Sequence, residues 1–105
     1  MLIGSLHGKQ SWVLRDALKN RQPVKTSGAM RAVSNRPDCV PTVGRLSDAE
    51  VIALRADVAK YGVTYVVYSY ATPIAWVRGD GSVHLVAQKF SPTTSKHQSV
   101  AACYL

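Results

Sequence analysis

The 105 residues predict an α+β fold, a single small domain in which an antiparallel sheet of three to five strands packs with two or three helices. Three observations carry this. Residues 47–61 combine a capped start, a helical apolar stripe and a glycine stop. Residues 63–77 alternate large apolar and small or polar side chains with a period of two, as strands do. Shorter extended and helical patterns sit on either side of both, separated by Pro, Gly and Asn. A hydrophobic fraction of 47% supports one modest core.

Taken in order, residues 1–10 read as flexible and the rest of 1–105 as the folded unit. SWVLRDALKN, residues 11–20, spaces Leu14, Ala17 and Leu18 at i, i+3 and i+4, with Ser11 as N-cap and Trp12 on a flank. Pro23 ends that helix. Val24 to Thr26 and Ala29 to Val33 form a small hairpin around Ser27-Gly28. Residues 34–44, SNRPDCVPTVG, form a loop.

Ser47 and Glu50 fit a capping box, and Leu46 with Val51 fits a hydrophobic staple. Asp48 and Glu50 lie at the positive end of the helix dipole and Lys60 at the negative end, with Gly62 as the stop. Val51, Leu54, Val58 and Tyr61 make the buried stripe. Beyond it, the period of two continues across Thr72-Pro73. The expected element is therefore one long bent strand from Val63 to Val77, with helices covering one face of the sheet. Gly79-Asp80-Gly81 turns the chain, Ser82 to Gln88 returns as the partner strand, and Ser95 to Tyr104 is the last helix.

The net charge is +7 and it is uneven. Residues 1–46 hold eight basic and two acidic side chains, 47–64 two and three, 65–105 three and one. An anionic partner is the natural reading, and Arg15, Lys19, Arg21, Lys25, Arg31, Arg36, Arg45, Lys96 and His97 are its expected contacts. Cys39 and Cys103 match no zinc spacing and read as reduced, half-buried thiols. No metal site and no cofactor motif is visible. The apolar part of MLIGSLHGK is short for a signal peptide, and no run approaches a membrane span, so a soluble, cytoplasmic protein is expected. Tyr61, Tyr65, Tyr68, Tyr70 and Trp76 read as sheet core before they read as a base-stacking platform.

KFSPTTSKHQ, residues 89–98, is the densest polar stretch. Ser95-x-x-Gln98 fits a capping box, with Thr93 or Thr94 as alternative caps. Lys96 and His97 would then fall in the first helical turn, where the dipole disfavours a cation by roughly 0.3–1 kcal/mol. An anion bound there would reverse that sign. An enzyme reading uses His97 as base with Ser91, Thr94 or Tyr70 as nucleophile or acid. Nucleophile-elbow, paired-carboxylate and glycine-loop motifs are absent, and carboxylates are too scarce for a two-metal nuclease.

YSYATPIAW at 68–76 and KFSPTTSKHQ at 89–98 resemble a family of small proteins of actinobacterial phages and plasmids, whose pattern is YSYxTPIAW followed by YSxTTSxHQ. SGAMRA at 27–32 and GRL at 44–46 are similar more weakly. Phe90 stands where the pattern has Tyr, and Pro92 where it has a β-branched residue. The resemblance implies that Tyr70, Thr72 and Trp76 form one spatial cluster with Ser91, Thr94, His97 and Gln98; Thr93 and Ser95 complete the expected polar cluster. It also implies a host-directed binding or growth-inhibiting role. The function expected is thus binding of a host macromolecule, a protein slightly before nucleic acid, with a metal-independent nuclease or hydrolase built on His97 as the third possibility.

Overall fold

The computed structural model describes residues 2–3, 11–26 and 29–105. The chain runs β1 (Leu2–Ile3), α1 (Ser11–Lys19), β2 (Val24–Thr26), β3 (Met30–Ser34), α2 (Asp48–Lys60), β4 (Val63–Ser69), β5 (Thr72–Arg78), β6 (Val83–Leu85) and α3 (Pro92–Tyr104). Strand order in the sheet equals chain order, so β2 to β6 form an antiparallel meander, and β1 adds two residues parallel to β2. The fold is α+β, as expected. The Ser27-Gly28 turn, the side chains of Ser11 and Trp12, and most of segment 1–10 lie outside the described residues.

Residues 63–77 are not one bent strand. β4 and β5 are a hairpin whose two-residue turn is Tyr70-Ala71, with Ser69 opposite Thr72. The register conceals the turn from the sequence pattern. A two-residue turn shifts the in/out phase by one residue. One extra residue at Ile74, a bulge between the pairs Val67–Ala75 and Tyr68–Pro73, shifts it back. The two shifts cancel, so Tyr65 and Val67 before the turn and Ala75 and Val77 after it share one face in the same period of two. Pro73 sits beyond the β6 ladder, which covers Ala75 to Val77, so its missing N–H leaves no β6 carbonyl unpaired.

The helices divide between the two faces instead of sharing one. Leu14, Ala17 and Leu18 of α1 and Ala101 of α3 pack with Val24, Met30, Ala32, Tyr65, Val67, Ile74, Ala75 and Val77. Leu54 of α2 and Leu46 before it pack on the other face with Val63, Val66, Tyr68, Trp76 and Val86. Such alternation of strand residues between two covered faces explains why β4 and β5 are buried almost throughout. Among the described residues, no helix is long and apolar enough to cross a membrane.

Two caps differ from the sequence reading. Ser47 Oγ accepts the Glu50 N–H at 3.3 Å, as a capping box requires. The reciprocal bond is made by Gln88, whose Oε1 accepts the Ser47 N–H at 2.7 Å, because Glu50 is drawn away to His84 Nε2 at 2.8 Å. α3 begins one turn earlier than expected: Ser91 is the N-cap, its Oγ accepting the Thr94 N–H at 3.3 Å, and Pro92 follows it in the first helical turn. Pro is preorganised for that position and lacks a donor that would go unmet there. Lys96 and His97 therefore lie in the second turn, beyond the free amides of the helix start, and the dipole calls for no anion beside them.

The loop at 34–44 is tied down by Asn35, whose Nδ2 is 2.9 Å from each of the carbonyl oxygens of Arg36, Cys39 and Val63. Cys39 and Cys103 are both free thiols.

Candidate functional site

Three segments meet at one end of the sheet: Gly44-Arg45 before α2, the β4–β5 turn, and residues 88–94 leading into α3. They enclose a cleft of about 810 Å³ lined by Gly44, Arg45, Ser69, Tyr70, Ala71, Thr72, Gln88, Lys89, Phe90, Ser91 and Thr94.

Each wall has a specific anchor. Thr72 Oγ1 accepts the Arg45 N–H at 2.9 Å, fastening the first segment to the turn. Gly44 has φ +52, and a Cβ there would stand 2.5 Å from both Ala71 O and Thr72 Oγ1. Only glycine lets these backbones approach so closely. Gln98 of α3 donates from Nε2 to Val86 O at 2.8 Å and Gln88 O at 3.0 Å. Gln88 passes the link on, donating to Arg45 O at 3.0 Å while it caps Ser47. Two amide side chains thus hold the α3 approach against the α2 approach.

From exposed Ser91 on the cleft wall a chain of hydroxyls runs inward and ends on a buried imidazole. Ser91 Oγ is 3.3 Å from Thr94 Oγ1, Thr94 Oγ1 is 3.1 Å from Ser69 Oγ, and Ser69 Oγ is 2.7 Å from His97 Nδ1. Thr94 and His97 are 5% exposed and Ser69 is 1%. Burial, helped by the nearby Lys96 charge, holds His97 below the usual imidazole range and favours its neutral form. Ser69 and His97 have the spacing of a nucleophile and its base. Among the described residues no carboxylate lines the cleft, and a serine so enclosed is poorly placed to be attacked by, or to attack, a substrate of any size.

Tyr70 stands at the rim. Its φ is 57, in the left-handed region that a bulky side chain seldom adopts, and its side chain is 60% exposed. The first central residue of such a hairpin turn is normally Gly. Here the turn holds a phenol out into solvent.

Of the expected polar cluster, Tyr70, Thr72, Ser91 and Thr94 line the cleft, and His97 lies just behind it. Gln98 supports a wall. Thr93 is exposed on α3 and Ser95 half-buried. Trp76 belongs elsewhere. It is fully buried on the α2 face, donating from Nε1 to Asp57 Oδ2 at 2.8 Å and stacked 4.3 Å from the His84 ring. Arg78 Nε completes an ion pair with the same Asp57 oxygen at 2.9 Å.

The basic residues spread out. Arg45 alone of the first-half set reaches the cleft lining. Arg15 and Lys19 are exposed on α1, and Lys25 on β2. Arg21 donates to Leu105 O at 3.0 Å. The Arg31 guanidinium lies 4.1 Å over the Tyr68 ring. Arg36 pairs loosely with Asp38 at 3.9 Å on the open surface. Lys96 is exposed on α3, so it and His97 do not present one joint cationic contact.

Sequence reasoning missed Ser69, Lys89 and Asp57. Ser69 closes the β4 row of Tyr65 and Val67, and a hydroxyl at the end of a buried row signals a polar partner beneath it. Asp57 lies three residues after Leu54 on α2, an acid beside the apolar stripe, which implies a buried donor.

Among the described residues, no group of His, Cys, Asp and Glu side chains is arranged to hold a metal ion. No curated protein and no solved structure matches the chain. A model of a family of unknown function, DUF8033, matches residues 17–102, which span both the cleft and its supports. The chain therefore belongs to the DUF8033 family.

Proposed function

We propose that the protein is a non-enzymatic binding domain that contacts a macromolecule of a host cell, and a protein before a nucleic acid. The observation that carries this is Tyr70: a large aromatic ring held outward, at a backbone angle that costs stability, on the rim of a cleft. Strain of this kind persists where a contact requires it, and exposed Tyr is a favoured anchor in protein interfaces. The scattering of Arg15, Lys19, Lys25 and Arg36 over separate elements argues against a continuous basic track along a nucleic-acid backbone.

The resemblance of YSYATPIAW and KFSPTTSKHQ to proteins of actinobacterial phages and plasmids supports a host-directed role inside the cell. Sequestration of a host protein would then slow host growth. The enzyme reading gains the 2.7 Å Ser69–His97 pair, but Ser69 is enclosed, and exposed Ser91 reaches the imidazole only through Thr94 and Ser69.

The test is capture from host lysate on the tagged full chain, with and without DNase and RNase. A discrete protein retained after nuclease and lost with Tyr70→Ala supports the reading. Recovery of nucleic acid alone, weakened by Arg15→Glu and Arg36→Glu, replaces it with the nucleic-acid reading. Hydrolase activity that disappears in His97→Ala while binding persists replaces it with the enzyme reading.

A further inference from the structure

The cleft has a charge character that its position alone does not require. Among the described residues its lining includes two cations, Arg45 and Lys89, and no acid. Neither cation takes part in an ion pair among the described residues, although Asp and Glu elsewhere are drawn into pairs with Arg36, Arg78 and His84. Two uncompensated positive charges across a walled cleft attract an anion more strongly than the same charges on a flat surface, because the walls exclude part of the screening water.

The hydroxyl chain adds a donor. Its protons can run in two senses. With Nδ1 of His97 as acceptor, Ser69 donates to His97, Thr94 to Ser69 and Ser91 to Thr94, and every proton points inward. With the proton on Nδ1, His97 donates to Ser69, Ser69 to Thr94 and Thr94 to Ser91, and the Ser91 proton is released toward the cleft. An anion above Ser91 selects the second sense, because each hydroxyl then donates to the next and Ser91 to the charged acceptor. The switch changes no net charge; the imidazole only exchanges one tautomer for the other.

An apolar flank accompanies the polar one. Phe90 and the Tyr70 ring border the same cleft. Phosphate chains of a nucleic acid would need cations repeated along a track, whereas two cations with two aromatic rings match an isolated acid beside an apolar side chain.

Resting on the binding function above, we propose that this cleft receives a carboxylate side chain of an acidic, aromatic-containing segment of the partner protein, held between Arg45 and Lys89 and hydrogen-bonded by Ser91. Tyr70 and Phe90 pack against the neighbouring apolar residue of that segment.

The experiment is a ¹⁵N NMR titration of the full chain with acetyl-Glu-Glu-Phe-Glu-Glu-amide, its all-Gln counterpart, inorganic phosphate and oligo(dT). The expected result is that the Glu peptide shifts the amides of Arg45, Tyr70, Lys89 and Thr94. Loss of the carboxylates, Arg45→Glu and Lys89→Glu should each weaken binding about tenfold, and the His97 ring should move to its Nδ1–H form. Equal affinity for the Glu and Gln peptides, indifference to both charge reversals, or absence of binding at the cleft overturns the proposal. So does tighter binding of phosphate or oligo(dT) at the same residues. Capture of a host protein that survives both charge reversals retains the binding function and rejects this ligand assignment. Absence of any captured protein rejects the function itself.

Discussion

Replacing Tyr70 with glycine separates two things the side chain does. In the structure Tyr70 occupies φ 57 at the first central position of the β4–β5 turn. A left-handed conformation costs an L-residue about 1–2 kcal/mol, and glycine nothing. Against that gain, glycine loses more freedom on folding, about 0.5–1 kcal/mol. The ring is 60% exposed, so its removal forfeits little burial. The Tyr70 N–H donates to Ala29 O at 2.9 Å through the backbone and is unaffected. The net expectation is that Tyr70→Gly stabilises the fold by about 0.5–1 kcal/mol, or raises Tm by roughly 2–8 °C for a domain this size. Tyr70→Ala keeps the strain and should leave Tm near that of the parent. Urea denaturation followed by Trp fluorescence and by circular dichroism measures both, with an unchanged m-value as the check on two-state behaviour. Both variants should lose the captured partner. If Tyr70→Gly destabilises by more than about 1 kcal/mol, the turn is not strained in the sense argued, and the ring is a structural element instead of an exposed contact.

Other perturbations probe the supports. Asp57→Ala leaves the buried Trp76 N–H without its acceptor and Arg78 without its counter-ion; a loss of about 2–3 kcal/mol is expected in urea denaturation, and Asp57→Asn, which keeps an acceptor for Trp76, should cost less. Gly44→Ala drives a Cβ to 2.5 Å from Ala71 O at φ +52, so a loss of about 2 kcal/mol or more and shifts in the Arg45 and Thr72 amide signals are expected. His97 is held below its ordinary value of 6.5 in the folded state, so the unfolded chain binds the proton more readily. Stability from this group is complete above pH 6.5 and falls as pH drops through the folded value. His97→Asn, which preserves a partner near Nδ1 for Ser69, should flatten the dependence of unfolding free energy on pH below 6.5; an unchanged slope would contradict the assignment.

Local rules made α2 readable because cap, staple, stripe and glycine stop all agree there. Leu46, Ser47, Leu54 and Gly62 perform their expected tasks, whereas Tyr61, expected in the buried stripe, is exposed. Long-range effects were hidden in the same segment: nothing local reveals that Glu50 leaves its cap for His84, or that Gln88, distant in sequence, replaces it. The β4–β5 hairpin was illegible for a different reason. Its turn carries Tyr-Ala where turn chemistry expects Gly or Asn, and the Ile74 bulge repaired the alternation the turn should have broken. The start of α3 was masked by an excess of candidates, since Ser91, Thr93, Thr94 and Ser95 can each cap a helix; Pro92, fitted to the first helical position, was the discriminating signal. Of the cleft, Tyr70, Thr72, Ser91 and Thr94 were legible as polar residues of two neighbouring motifs. Ser69 and Lys89 emerge only when the turn, the sheet end and the α3 approach are brought together in space.

Docking of a partner protein at the Tyr70 rim can be trapped by placing the photoreactive residue p-benzoylphenylalanine at position 70 and irradiating the chain in host lysate. One discrete crosslinked protein is expected, absent when the same group replaces exposed Arg15 on α1. Crosslinks to nucleic acid, the same protein at both positions, or no crosslinked species at position 70 would contradict it.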